Sequence, residues 1–149
     1  MFTEPPPTDA SDDDAVGEIV DLVRRFGAER IDDRAIDRAH KIPAGLLEDL
    51  AELGLFGLSV PEPFGGMGLE LAPICDVISA LAESDRSVAT TVGLHLGLGT
   101  RGLIAFADDK TKAEVLPKLA TGDHIAAFAA TEPGAGSDLR SVSTRASVH

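Results

Sequence analysis

The chain has 149 residues, with 25 Asp and Glu against 13 Lys and Arg, and a formal net charge of −12 at pH 7. No basic stripe is available to neutralise phosphates, which argues against nucleic acid as a partner. The single cysteine, Cys75, excludes an internal disulfide framework, and no basic segment followed by an apolar one opens the chain, so no secretory signal or transit peptide is expected and the cytoplasm is the simplest location.

Residues 1–11 carry Pro5, Pro6 and Pro7 beside Glu4 and Asp9 and read as a disordered acidic leader. Acids continue through Asp12, Asp13, Asp14, Glu18 and Asp21 before the first base, Arg24, and negative charge in a first turn suits the helix dipole. Val16, Ile19, Val20, Val23 and Phe26 recur at helical spacing and predict a helix over 12–30. A second apolar stripe, Leu46, Leu47, Leu50 and Leu53, is closed by Gly54. Pro61 to Gly68 cannot continue a helix and reads as a loop pinned to the core by Phe64. Leu71 to Ala82 predicts a third helix, in which Cys75 falls among Leu71, Ile74, Ile78 and Leu81 and reads as a small buried thiol without chemistry.

A fourth helix is expected over 87–96 and a short one over 100–106; the span 87–100 is too short and too rich in Gly and Thr to cross a bilayer. Gly93 and Gly97 lie one turn apart and strip side chains from one helix face, which ordinarily serves close helix packing. His95 between them reads first as a hydrogen-bonded core residue, and with His40, His124 and His149 scattered there is no metal-ligand spacing, so no metal is expected. Thr111-x-x-Glu114 fits a capping box for the helix carrying Val115, Leu116 and Leu119, and Pro117 is expected to end or kink that helix.

The run Ile125-Ala-Ala-Phe-Ala-Ala130 is short, apolar and bounded by polar residues, the pattern of a buried strand. It feeds into Thr131-Glu-Pro-Gly-Ala-Gly-Ser-Asp138. Pro133 fixes one backbone angle, while Gly134 and Gly136 permit positive φ and close approach, so the loop can turn amides toward an anion such as a pyrophosphate. The same composition also makes an ordinary turn, and Leu139 stands where the third glycine of a dinucleotide fingerprint belongs. Glu132 and Asp138 would repel a phosphate, so both are expected to point away and tie down loop amides. Thr131 and Ser137 remain to touch a ligand. Residues 140–144 read as loop leading to another strand.

The octapeptide, with Phe128, Ala129 and Ala130 before it, resembles the flavin signature of the acyl-CoA dehydrogenase family. Residues 46–58, 60–68 and 115–122 resemble family segments in the same order. The resemblance implies a mainly α chain: an N-terminal helical domain over 12–123, followed over 124–149 by the first strands of a truncated middle β-barrel domain. Family members are much longer, so the chain is expected to be a front portion whose last strands would expose open edges.

The reaction implied is α,β-dehydrogenation of an acyl-CoA thioester to a trans-2-enoyl-CoA, as in fatty acid β-oxidation. FAD is the implied cofactor, electron-transferring flavoprotein the implied electron acceptor, and a homotetramer the usual assembly. Thr131 matches the family residue that hydrogen-bonds the flavin N1 and C2 carbonyl edge, with Phe128, Ala129 and Ala130 along the ring. Gly136 and Ser137 match positions near the pyrophosphate, Ser137 lying also near the acyl-CoA. Gly93, His95 and Gly97 fall near the far end of the family's acyl pocket, where small residues leave room for a longer chain. The family's catalytic glutamate belongs to a C-terminal bundle, so no catalytic residue is assigned and Glu132 is structural; no turnover is expected from the chain alone. Acyl-CoA oxidase, nitroalkane oxidase or flavin monooxygenase chemistry of the same superfamily, and a non-catalytic helical binding or assembly module, stay open.

Overall fold

A computed structural model describes residues 10–147 and their side chains from Asp14 onward. The expected leader over 1–11 lies outside the described residues through residue 9, and its last two residues, Ala10 and Ser11, belong to the first helix instead. The helices are α1 (Ala10–Arg30), α2 (Asp33–Ala39), α3 (Ala44–Glu52), α4 (Leu71–Ser84), α5 (Arg86–Leu94), α6 (Arg101–Phe106) and α7 (Asp109–Thr121). Between α5 and α6 the backbone winds as a π-helix over His95–Thr100.

The apolar stripes of these helices meet in one core. Val23 of α1, Leu46 and Leu50 of α3, Val77 and Leu81 of α4, and Val88 and Val92 of α5 pack with Leu55, Phe56, Leu58 and Leu96. α1 lies on α4 and α4 on α5. At the rim of the first contact the Arg24 guanidinium forks onto the Glu83 carboxylate at 3.2 and 3.3 Å, an exposed pair that orients more than it stabilises. α3 stops where Gly54 takes φ 74°. Its N–H donates to the Ala51 carbonyl and that of Leu55 to the Leu50 carbonyl, the Schellman arrangement, which satisfies the last helix carbonyls and turns Leu55 and Phe56 inward. A smaller cluster joins Val60 to Leu116, Leu119 and Ala120 of α7, with Phe64 packed against it. Phe64 therefore pins the 61–68 loop as its sequence implies.

Several elements depart from expectation for local reasons. α2 carries one buried apolar residue, Ile36, too little for a periodic signal; it forms because the Asp32 carboxylate accepts from Ala35 N–H at 2.9 Å and His40 ends it in the left-handed region. The capping residue of α7 is Asp108, not Thr111. Its carboxylate accepts from both the N–H and the hydroxyl of Thr111, at 2.8 and 3.0 Å, and these bonds hold the Asp108 carboxyl below its usual range. Pro117 does not end α7, which runs on to Thr121 because Leu119 and Ala120 are buried beyond it. The carbonyl one turn before Pro117 belongs to exposed Ala113, where water can take the lost bond. The fourth helix keeps α-geometry only to Leu94.

The architecture is mainly α, as the sequence implies. Residues 125–130 form no strand ladder, and the one bridge among the described residues joins Glu132 to Ala135. A strand needs a partner edge, and here the Ala126 N–H is taken by a side chain instead. Residues 139–141 form a 3-10 turn in place of a run into a strand.

Leu50 is fully buried at the junction of α3 with the core. Leu50→Ala is expected to destabilise the fold by about 3 kcal/mol in denaturant unfolding, with an unchanged m-value.

Candidate functional site

α4 and the α5 to π segment diverge enough to leave an apolar cleft of about 310 Å³, lined by Leu71, Ile74, Cys75, Ile78, Ser79, Gly93, Leu96, Gly97 and Arg101. Gly93 and Gly97 open this cleft rather than bringing helices together. A Cβ at Gly93 would meet Ile78 at an ordinary 3.7 Å, and one at Gly97 would meet nothing within 4 Å. Cys75 is exposed in the cleft wall, not buried. The spacing of Leu71, Ile74, Cys75 and Ile78 already puts them on one helix face, but nothing in the sequence says that a second helix stands off from that face. Arg101 and Ser79 carried no signal at all.

His95 points the other way, since two residues of helical winding turn a side chain by about 200°. It is fully buried. Its Nε2 lies 3.1 Å from the Phe56 carbonyl and its Nδ1 accepts the Ala126 N–H at 3.0 Å. Nε2 therefore donates, and the ring is a neutral imidazole of one tautomer. Burial lowers its pKa, offset in part by the backbone of Phe56 and of Leu119. The Phe56 ring stands edge-on to it, centroids 5.0 Å apart. Gly99 makes the approach possible, because a Cβ there would lie 2.5 Å from that of Ala126. The structure thus groups Gly93 and Gly97 in the cleft and places His95 in the core behind them.

Beyond Ala126 the chain runs exposed. Phe128 is 58% accessible, Ala129 and Thr131 are exposed and Ala130 half-buried. Glu132 and Ala135 then exchange N–H to carbonyl bonds of 2.9 and 3.1 Å, which puts Pro133 and Gly134 at the tip of a tight turn. Neither Gly134 nor Gly136 has positive φ. Pro133 imposes a negative φ at the first tip position, and the turn closes without a left-handed residue.

The carboxylates behave as their charge requires. Glu132 accepts from the N–H groups of Ser143 and Thr144, at 2.8 and 2.9 Å, and from both hydroxyls; these bonds push its pKa down to about 2. Asp138 accepts from Arg140 N–H at 3.2 Å and Ser141 Oγ at 2.6 Å. Both acids are spent on backbone and hydroxyl groups. The amides of Gly134, Gly136 and Ser137 and the hydroxyls of Thr131 and Ser137 make no hydrogen bond among the described residues. A Cβ at Gly134 or Gly136 would meet nothing within 4 Å. Free donors beside an exposed apolar strip fit a flat conjugated ring carrying phosphates.

Residues 13–123 match the family model for the acyl-CoA dehydrogenase N-terminal domain, and the chain belongs to the acyl-CoA dehydrogenase family. It is 38% identical over 129 residues to the mitochondrial very long-chain specific acyl-CoA dehydrogenase of Macaca fascicularis, covering 87% of this chain and 20% of that protein. Over 130 residues it is 38% identical to benzylmalonyl-CoA dehydrogenase of Aromatoleum aromaticum, covering 86% of this chain and 34% of the relative. The fold matches a crystal structure of an acyl-CoA dehydrogenase from Bacillus anthracis complexed with FAD, at a TM-score of 0.73 and 30% identity, over 95% of this chain and 24% of that one. The chain therefore spans 20% and 34% of the length of these two curated relatives. Among the described residues no helix is long and apolar enough to cross a membrane.

The His95 bridge predicts a pH response. A histidine held neutral in the fold leaves stability flat above its unfolded pKa of about 6.5; as pH falls below that, the unfolded chain binds the proton first and stability is lost until the folded pKa is reached. Thermal melts between pH 5 and 8 should therefore show an acid-side slope that shrinks in His95→Gln. At pH 8 that variant should itself be about 2 kcal/mol less stable, because it disrupts the bonds to the Phe56 carbonyl and the Ala126 N–H.

Proposed function

We propose that this chain supplies the acyl-binding helical domain and the flavin-facing loop of an FAD-dependent acyl-CoA dehydrogenase acting on long-chain thioesters, with electron-transferring flavoprotein as electron acceptor. The observation that carries the reading is one helical segment with two uses. Its Gly93 and Gly97 face opens an apolar cleft, and its opposite face anchors, through His95 and Ala126, the strip that leads to the signature loop.

FAD, when bound, supplies the acceptor for the hydride leaving the acyl Cβ. Phe128, Ala129 and Ala130 offer an apolar surface to the ring. The exposed Thr131 hydroxyl would donate to the edge where negative charge grows on reduction, which would favour the reduced state. The free amides of Gly134, Gly136 and Ser137 would serve the phosphates, and the exposed Ser137 hydroxyl would serve the thioester as well. The cleft holds the hydrocarbon and excludes water from it, each buried methylene contributing about 0.8 kcal/mol. Glu132 is unsuited to remove the Cα proton: a carboxylate with pKa about 2, already holding Ser143 and Thr144, is a feeble base. The very long-chain specificity named for a relative supports the long-chain reading.

The test is spectroscopic. The intact protein, supplied with FAD, should show a flavin band that bleaches anaerobically on adding a saturated long-chain acyl-CoA; a protein that stays colourless with FAD overturns the reading. Thr131→Val should make the flavin harder to reduce, by about 20–60 mV if a hydrogen bond of about 1–3 kcal/mol to the reduced form is lost. An unchanged potential removes Thr131 from this role.

A further inference from the structure

Arg101 is the one charged residue among those lining the cleft. The groove is otherwise aliphatic, with Cys75, Ser79 and two glycines, and no carboxylate lies in its wall to neutralise the guanidinium. Arg24 and Arg30 are both engaged, with Glu83 and Asp49. Arg101 has no salt-bridge partner among the described residues and is exposed. An arginine so placed lays its aliphatic stem along the apolar wall and keeps its charged head in water at the rim.

A hydrocarbon chain makes use of the stem but not the head. A chain that ends in an anion makes use of both, because the guanidinium presents a planar fork of donors matched to a carboxylate. We propose that the cleft selects acyl chains carrying a distal carboxylate, the monothioesters of dicarboxylic acids, and that Arg101 is the residue that reads the charge. The inference rests on the reading of the cleft as the acyl site. It adds to that reading a substrate class and a specificity-determining residue. Arg101 serves any anion at the rim equally, so the phosphates of the CoA carrier are the rival source of charge.

Cys75 provides the readout, because it is exposed in the same wall. Its alkylation in the intact protein, followed by mass spectrometry of the Cys75 peptide, should slow as the cleft fills. The ligands are dodecanoyl and ω-carboxyundecanoyl thioesters, each prepared on CoA and on uncharged pantetheine. The expected result is half-protection at about tenfold lower concentration for the ω-carboxy chain on either carrier, the weight of one charged hydrogen-bonded contact. That ratio should fall to near one in Arg101→Met, which keeps the apolar stem, and return in part in Arg101→Lys. Equal protection by both chains in the unmodified protein overturns the proposal, as does a carboxylate preference that survives in Arg101→Met. A preference for CoA over pantetheine that vanishes in Arg101→Met, with none for the terminal carboxylate, assigns Arg101 to the carrier phosphates instead. If no thioester protects Cys75, the acyl-site reading itself fails; protection without charge discrimination leaves that reading standing and removes this one.

Discussion

For the chain beyond α7 to lie where it does, the imidazole of His95 must be neutral and in one tautomer. Its donor nitrogen is fixed by the Phe56 carbonyl and its acceptor nitrogen by the Ala126 N–H, so both ends of the bridge are main chain. A proton added at Nδ1 would set a donor against a donor inside the core. The Phe56 carbonyl would keep its donor, but the Ala126 N–H would lose its acceptor, and a polar group left unpaired costs about 1–3 kcal/mol. An apolar residue in place of the ring would leave the buried Phe56 carbonyl and the half-buried Ala126 N–H without these partners. The contact also needs Gly99, which lets Ala126 approach closer than any side chain would permit. A histidine and a glycine on one turn thus fix the direction in which the exposed strip from Phe128 leaves the helical domain.

The same stretch of backbone does its second job because it leaves α-geometry. From His95 to Thr100 the helix winds in π form, an arrangement often found where a helix carries a site. Gly93 and Gly97 sit on the cleft side, the Cβ position of Gly97 open and that of Gly93 at van der Waals distance from Ile78, while His95 and Thr100 are buried. Wider winding near two glycines lowers the density of side chains on the cleft face without unpacking the core face, where Val88, Val92 and Leu96 continue the hydrophobic cluster. Void and core coexist on one element, which a regular helix of large residues would not allow.

Much of this was legible in the sequence, and the gaps have physical causes. The stripes at Val16 to Phe26, Leu46 to Leu53 and Leu71 to Leu81 identify helices because burial imposes their period. α2 was hidden because a cap at Asp32, not periodicity, makes it. Pro117 misled because tertiary burial of Leu119 and Ala120 outweighs the loss of one hydrogen bond. That Glu132 and Asp138 take up backbone and hydroxyl donors was legible from charge, since each was expected to point away from a phosphate and tie down loop amides. Cys75 was misread because period locates a face but not what lies opposite it: the face of α4 that bears Cys75 looks into a groove, not a helix. Arg101 was invisible for the same reason, its significance lying wholly in the aliphatic company that the fold gives it.

The signature loop unites two demands that oppose each other. Several of its donors are left free, yet free amides on an exposed loop have nothing to hold them in place. Glu132 resolves this by reaching away from the loop to Ser143 and Thr144, so that the segment after the loop is tied back to its beginning while the amides of Gly134, Gly136 and Ser137 stay unspent. Four donors on one carboxylate keep it ionised far below neutral pH, which makes the tie insensitive to physiological acidity and removes Glu132 from proton transfer. Asp138 repeats the device over a shorter span, closing the turn at Leu139–Ser141. The negative charges that flank the loop are therefore what shape it, each spent on donors other than the open amides.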